Sequence, residues 1–146
     1  PHHNRYGPWM PRDTPYSGVA AFFRSSLEKG ESPKVFEDGR QLRDFVHVSD
    51  IARANVLALE QVVTALPEHY AAYNVASGHP VPIADVARIL SGGADPEVTG
   101  QYRAGDVRHV VASPERAATE LGFTAEVTPE IGIKEFTSAP LRAPAG

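Results

Sequence analysis

The sequence predicts a mixed α/β fold of short strands and several helices, arranged as one compact unit. Three patterns carry this expectation. Val19, Phe22, Phe23 and Leu27 recur at helical spacing within the stretch Tyr16 to Gly30. Leu42 to Val48 alternates with period two, as a strand does. Ser113-Pro114-Glu115 reads as a helix start, with Ser as N-cap, Pro in the first turn and an acid behind it.

The elements follow in order. His3 to Pro15 is loop chemistry, rich in Pro, Gly and Asn. The first helix follows, with Lys29 in its last turn and Gly30 as its stop. Val35-Phe36 is a short strand ended by the turn Glu37-Asp38-Gly39. In the next strand, period two puts Arg43, Phe45 and His47 on one face and Leu42, Asp44, Val46 and Val48 on the other. Ser49 and Asp50 are N-cap residue types, so a helix is expected from about Ile51 to Ala65, turning Ile51, Ala54, Ala58 and Val62 inward. Ala72 to Ala76 reads as a strand, Pro82 to Leu90 as a short helix, and Val98 to Tyr102 as a further strand. The helix opened by Ser113 stops at Gly122, and Pro129 to Phe136 forms the last one. No internal repeat is visible.

Composition narrows the class. Of the 146 residues, 42% are hydrophobic and 22% charged, the balance of a soluble globular protein with room for a modest core. A formal net charge of −4 argues against a general nucleic-acid binder but leaves room for a local anion site. There are no cysteines, which removes disulfides, thiolate chemistry and cysteine zinc sites, and fits a cytoplasmic protein. No apolar run reaches membrane-spanning length and no signal peptide is visible, so no membrane partner is expected. The opening Pro1-His2-His3-Asn4 reads as the middle of a longer chain.

Several motifs are missing. A dinucleotide diphosphate needs a glycine-rich turn at a helix N-terminus, and neither spacing of that fingerprint occurs. No tyrosine has a lysine four residues later, the pair expected for proton transfer at a sugar carbon. No Gly-x-Ser-x-Gly elbow or His-Glu-x-x-His helix is present, and His2-His3 reads as a pair of loop histidines, so no metal is expected.

Four segments then line up with one family. Asn4-Arg5-Tyr6-Gly7-Pro8 resembles its Asn-x-Tyr-Gly-Pro loop, and Arg43-Asp44-Phe45-Val46-His47-Val48-Ser49-Asp50 its Arg-Asp-Phe-x-His-Val-x-Asp signature. Tyr73-Asn74-Val75-Ala76-Ser77-Gly78 resembles its Tyr-Asn-Val-Gly-x-Gly segment. Arg103-Ala104-Gly105-Asp106, followed by the helix Ser113 to Phe123, resembles its Arg-x-Gly-Asp loop and the helix after it. Together they resemble the extended short-chain dehydrogenases that act on nucleotide sugars, such as UDP-glucose 4-epimerases and dTDP-glucose 4,6-dehydratases. The resemblance implies the C-terminal, substrate-binding part of a Rossmann-type enzyme. Residues 1–137 are then the nucleotide-sugar domain fragment and 138–146 a flexible tail, with the N-terminal Rossmann domain absent. It also implies NAD as cofactor, bound mainly by that other half, a UDP- or dTDP-sugar as substrate, and a homodimer for the full-length parent. The expected activity is 4-epimerisation of the UDP-glucose/UDP-galactose type, with no catalytic residue in this stretch and an inactive fragment. A dTDP-glucose 4,6-dehydratase-like lyase and a non-catalytic nucleotide-sugar or NAD-binding regulatory protein are the alternatives.

Site residues follow from both lines. A diphosphate needs fixed positive charge, and an arginine fork can pair with two phosphate oxygens. Arg43 and Arg103 are the expected clamp, as the resemblance implies; the competing reading pairs Arg43 with Asp44 or Asp38. Asp106 is expected to accept from the ribose hydroxyls, or only to help close the Gly105 turn. Phe36, next to Lys34, is placed to pack on a uracil or thymine ring, or is a plain core residue. Asn4 offers an amide to substrate oxygens, or forms an Asx turn with Tyr6. His2 stands where the family commonly has a tyrosine near the nicotinamide, and is the one cofactor-side candidate; Arg5 replaces a small apolar residue. Asp50 is read as an N-cap and His47 as structural.

Overall fold

Tyr6 and Phe45 sit at the centre of the molecule, and their packing explains how the chain is arranged. The computed structural model describes residues 4–12, 18–64 and 71–142. Strand β1 (Asn4–Tyr6) pairs in parallel with β4 (Phe45–His47), so the chain between them must cross over. That crossover holds helix α1 (Val19–Glu28) and the short strands β2 (Lys34–Val35) and β3 (Leu42–Arg43). Helix α2 (Val48–Thr64) follows β4 directly, and β5 (Val81–Pro82) leads straight into α3 (Ile83–Leu90). Strand β6 (Glu97–Val98) and helices α4 (Glu115–Leu121) and α5 (Pro129–Phe136) complete the order.

The strands form three two-stranded sheets: β1 with β4, β2 with β6 in parallel, and β3 with β5 antiparallel. Both faces of the β1–β4 pair are covered, as parallel pairs require. On one side Tyr6 and Phe45 pack with Phe23, Val86, Ile133 and Phe136. On the other, Val46 packs with Ile51, Ala54, Val75, Ala117 and Phe123. Tyr6 meets Phe45, His47 and Phe136 edge to face, with ring centroids 6.2, 5.4 and 6.1 Å away. Burial, then the negative charge of Asp50 and Glu135, pushes the Tyr6 phenol well above its ordinary value, so it stays neutral. A methyl group at Gly132 would overlap the Tyr6 hydroxyl, which is why α5 carries a glycine there.

Several expectations change. The stretch 42–48 is not one alternating strand: it splits at Asp44, with β3 and β4 pairing to different partners. Asp44, between the two strands, is fully buried and accepts the Ser77 N–H at 2.8 Å. Asp50 does not cap α2 but lies inside its first turn. Its carboxylate accepts the Glu126 and Val127 N–H groups at 3.0 and 3.1 Å and pairs with Arg53 at 2.9 Å. Residues 72–76 form no strand; only Val75 makes a bridge. Pro114 already has helical geometry at the start of α4, and the Ser113 hydroxyl accepts the Glu115 N–H at 3.2 Å, as expected of a capping serine. Gly122 ends that helix in the left-handed region at φ 67°. Val62 is 65% exposed rather than inward. The segment 138–142 is packed, not frayed: Leu141 is buried, and Trp9 and Arg142 exchange backbone bonds with Pro140 and Met10 at 2.7 and 2.9 Å. No helix among the described residues is long and apolar enough to cross a membrane.

Candidate functional site

The crossover between β1 and β4 builds a cavity of about 200 Å³ along its outer side. Asn4 enters it from β1, Lys34 from β2, Phe36 from the turn after β2, and Arg43 from β3. Arg103 and Asp106 enter from the loop between β6 and α4. All six residues expected to bind substrate therefore line one cavity, although they are spread from position 4 to position 106 of the chain. His2 lies outside the described residues. Val19 and Phe22 of α1, Glu37, Gln41 and Ile83 complete the wall and were missed in the sequence. Gln41 sits two residues before Arg43, just ahead of the signature that begins there. Phe22, which shares the helical spacing of Val19, Phe23 and Leu27, is 44% exposed and faces the cavity.

The competing readings of Arg43 and Asn4 are not what the structure shows, whereas Asp106 does help to close the Gly105 turn. Arg43 pairs with neither Asp44 nor Asp38: Asp44 is taken by Ser77, and Asp38 by Arg108 at 2.7 Å. Instead its guanidinium donates to three backbone carbonyls, of Leu42 at 2.9 Å, Arg108 at 2.7 Å and Val107 at 2.8 Å. A guanidinium carries five N–H groups, so two remain for a ligand. Arg103 lies over the Phe36 ring, 5.5 Å from its centroid. The Asp106 N–H closes a turn onto the Arg103 carbonyl at 3.2 Å, while its carboxylate is left unbonded by the described residues. Asn4 lies in β1, opposite Phe45, rather than in an Asx turn.

Charge in the cavity favours an anion. Lys34, Arg43 and Arg103 line it, and none of them ion-pairs with a carboxylate among the described residues. The acids present are Asp106 and Glu37, and Glu37 is already paired with Arg108 at 3.1 Å. A larger open groove of about 730 Å³ adjoins it, sharing Asn4 and Val19, and is walled mainly by Pro8, Trp9, Met10, Phe45 and Val48. Asn4 and Val19 thus belong to the walls of both the cationic pocket and the mostly apolar groove.

The sequence and fold of the chain match a known group of proteins. The model of the NAD dependent epimerase/dehydratase family matches residues 2–76, and the chain belongs to that family. It is 36% identical over 137 residues to a dTDP-L-rhamnose 4-epimerase of Burkholderia thailandensis, covering 91% of this chain and 36% of that relative. Among solved structures it resembles the UDP-N-acetylglucosamine 4-epimerase of Methanobrevibacter ruminantium, with a TM-score of 0.78 and 30% identity. It also resembles the UDP-glucose 4-epimerase of Thermotoga maritima, with a TM-score of 0.72 and 30% identity. Each of these alignments covers 93% of this chain and 43% of the solved one, so the chain spans less than half the length of these relatives. Among the described residues, β1 and β4 run into Gly7-Pro8 and into α2, and neither junction has the glycine-rich turn that the NAD diphosphate requires.

Proposed function

We propose that this chain is the nucleotide-sugar-binding portion of an NAD-dependent 4-epimerase. The observation that carries the proposal is the gathering of Lys34, Arg43 and Arg103 with Asp106, Phe36 and Asn4 in one cavity. The two arginines hold the diphosphate from β3 and from the loop opposite, with Lys34 adding charge at close range. Asp106 accepts from the ribose, and the base takes the face of Phe36 over which Arg103 lies. Asn4, shared by pocket and groove, meets the sugar where it leaves the diphosphate.

Epimerisation at C4 needs the sugar to present both faces in turn to one hydride carrier. A chain that grips the nucleotide and leaves the hexose in a wide, mostly apolar groove suits that requirement. NAD, bound outside this chain, supplies the hydride exchange. The rest of a longer protein then docks on the outer edge of β1, which pairs only with β4 among the described residues. Val56, Leu59 and Val63 on α2 are also exposed and offer a second apolar surface for such a contact. A homodimer of the full-length protein belongs to the same proposal.

The UDP-glucose/UDP-galactose pair is one substrate reading. The relative from Burkholderia thailandensis favours a second, a dTDP-linked 6-deoxyhexose, and the apolar lining of the groove supports it. Incubating full-length protein and NAD with UDP-galactose or dTDP-L-rhamnose, and following the sugar by NMR, tests both. Inversion at C4 of either substrate is expected. Loss of water to a 4-keto-6-deoxy sugar, or no turnover of any nucleotide sugar, would contradict the epimerase.

A further inference from the structure

Arg108 lies outside the cavity, but its contacts reach the residues that line it. Its guanidinium forks onto the turn after β2, with Nη1 3.1 Å from the Glu37 carboxylate and Nη2 2.7 Å from that of Asp38. Arg43 holds the backbone on either side of the same residue through the Val107 and Arg108 carbonyls. The Leu42 N–H donates to His109 Nδ1 at 3.2 Å, one residue further on. At the other end of the loop the Glu37 N–H donates to the Gln101 carbonyl at 2.7 Å. Between these fastenings lie Arg103 and Asp106, in exposed chain whose only internal backbone bond runs from Asp106 N–H to the Arg103 carbonyl. Arg103 rests on the Phe36 ring, 5.5 Å from its centroid, while the Asp106 side chain has no partner among the described residues, so the fastenings at Gln101 and at Val107 to His109 help set the height of the loop above the cavity.

We propose that Arg108 is a positioning residue for the nucleoside diphosphate. It latches the loop to the Glu37-Asp38 turn, so that Arg103 and Asp106 face the cavity, and it neutralises Glu37, a carboxylate lining the pocket meant for an anion. The second effect follows from geometry alone. An unpaired Glu37 beside a diphosphate is repulsive, and it would also draw Arg103 or Lys34 away from the ligand. The proposal rests on the reading of this cavity as a nucleotide site, and its test separates the two.

Three measurements on the full-length protein decide it. The first is the affinity of UDP and dTDP for wild type, Arg108→Gln and Arg108→Lys, by titration calorimetry. The expectation is a loss of about tenfold for Gln, the worth of one charge-assisted bond pair at an exposed site, with partial rescue by Lys and little change for uridine. In turnover the same variant should raise KM with kcat nearly unchanged. The second is Arg108→Gln in a Glu37→Gln background, where the loss should shrink because the neutralised group is gone. The third needs no ligand: the Asp106 amide should exchange about tenfold faster in Arg108→Gln. Unchanged diphosphate affinity in Arg108→Gln, or equal losses for UDP and uridine, would overturn the proposal. If wild type binds no nucleoside diphosphate, the site reading fails by itself, and the latch stands or falls on the Asp106 exchange rate.

Discussion

Removing the Asp50 carboxylate should release the segment before α5, and the size of that effect can be worked from the contacts. Asp50 is 1% exposed and accepts the Glu126 and Val127 N–H groups, 76 and 77 residues further along the chain. Each hydrogen bond to a charged acceptor contributes about 1.5 kcal/mol, so Asp50→Ala costs about 3 kcal/mol for the two backbone donors. Arg53 adds little, because it is about a third exposed and keeps an acceptor in the Thr124 carbonyl. A loss of about 3 kcal/mol lowers the exchange protection of the Glu126 and Val127 amides about 100-fold. Amide exchange followed by NMR on the full-length protein reads this directly, and Asp50→Asn, which keeps one carbonyl oxygen, should fall in between. Burial pushes the Asp50 carboxyl up, but the Glu126 N–H, Arg53 and the Val127 N–H together outweigh it and hold it below its ordinary value. A depressed folded value means that the contribution is whole above about pH 4, the ordinary carboxylate range, and is lost as the pH falls through the lowered value. Protection at Val127 should therefore survive at pH 5 and fail only in stronger acid. If Asp50→Ala leaves both amides as protected as in wild type, the reasoning is refuted.

Other perturbations follow from the same contacts. Gly132→Ala should destabilise the fold by about 2 kcal/mol or more, because its methyl meets the Tyr6 hydroxyl and Val127, and Tyr6 is ringed by aromatic side chains; chemical denaturation checks it. Phe36→Ala should weaken UDP binding about tenfold through loss of the ring face, while Phe36→Leu keeps part of it; calorimetry measures both. Asp106→Asn should weaken UDP more than dTDP, since only the ribonucleotide offers a 2′-hydroxyl, with a difference of about fivefold read by competition between the two.

The cavity was legible because its residue types carry their chemistry wherever they sit in the chain. Two arginines, an acid and an aromatic in the family's order pointed to a diphosphate, a ribose and a base, and the fold brings them together. What was not legible depended on partners far away. Asp50 is a good cap type, and nothing local showed that its acceptors were needed by two amides next to α5. The alternation of Leu42 to Val48 looked like one strand because period two is blind to a change of partner at Asp44. Phe22 and Val62 kept helical spacing, yet face the cavity and open surface, since periodicity marks an apolar side and not what covers it. The packed segment 138–142 looked like a tail because its binding is through backbone bonds to Trp9 and Met10 and a single buried leucine.

The central claim is that a nucleoside diphosphate binds through the cations of this cavity. Titration calorimetry of uridine, UMP and UDP against full-length wild type and Arg103→Ala tests it most directly, because the Arg103 guanidinium lies over Phe36 and ion-pairs with no carboxylate among the described residues. Affinity should rise from uridine to UMP to UDP, and Arg103→Ala should weaken UDP by about ten- to a hundredfold, the range of one charge-assisted contact. Equal affinity for uridine and UDP, or an Arg103→Ala variant that binds UDP as wild type does, would contradict it.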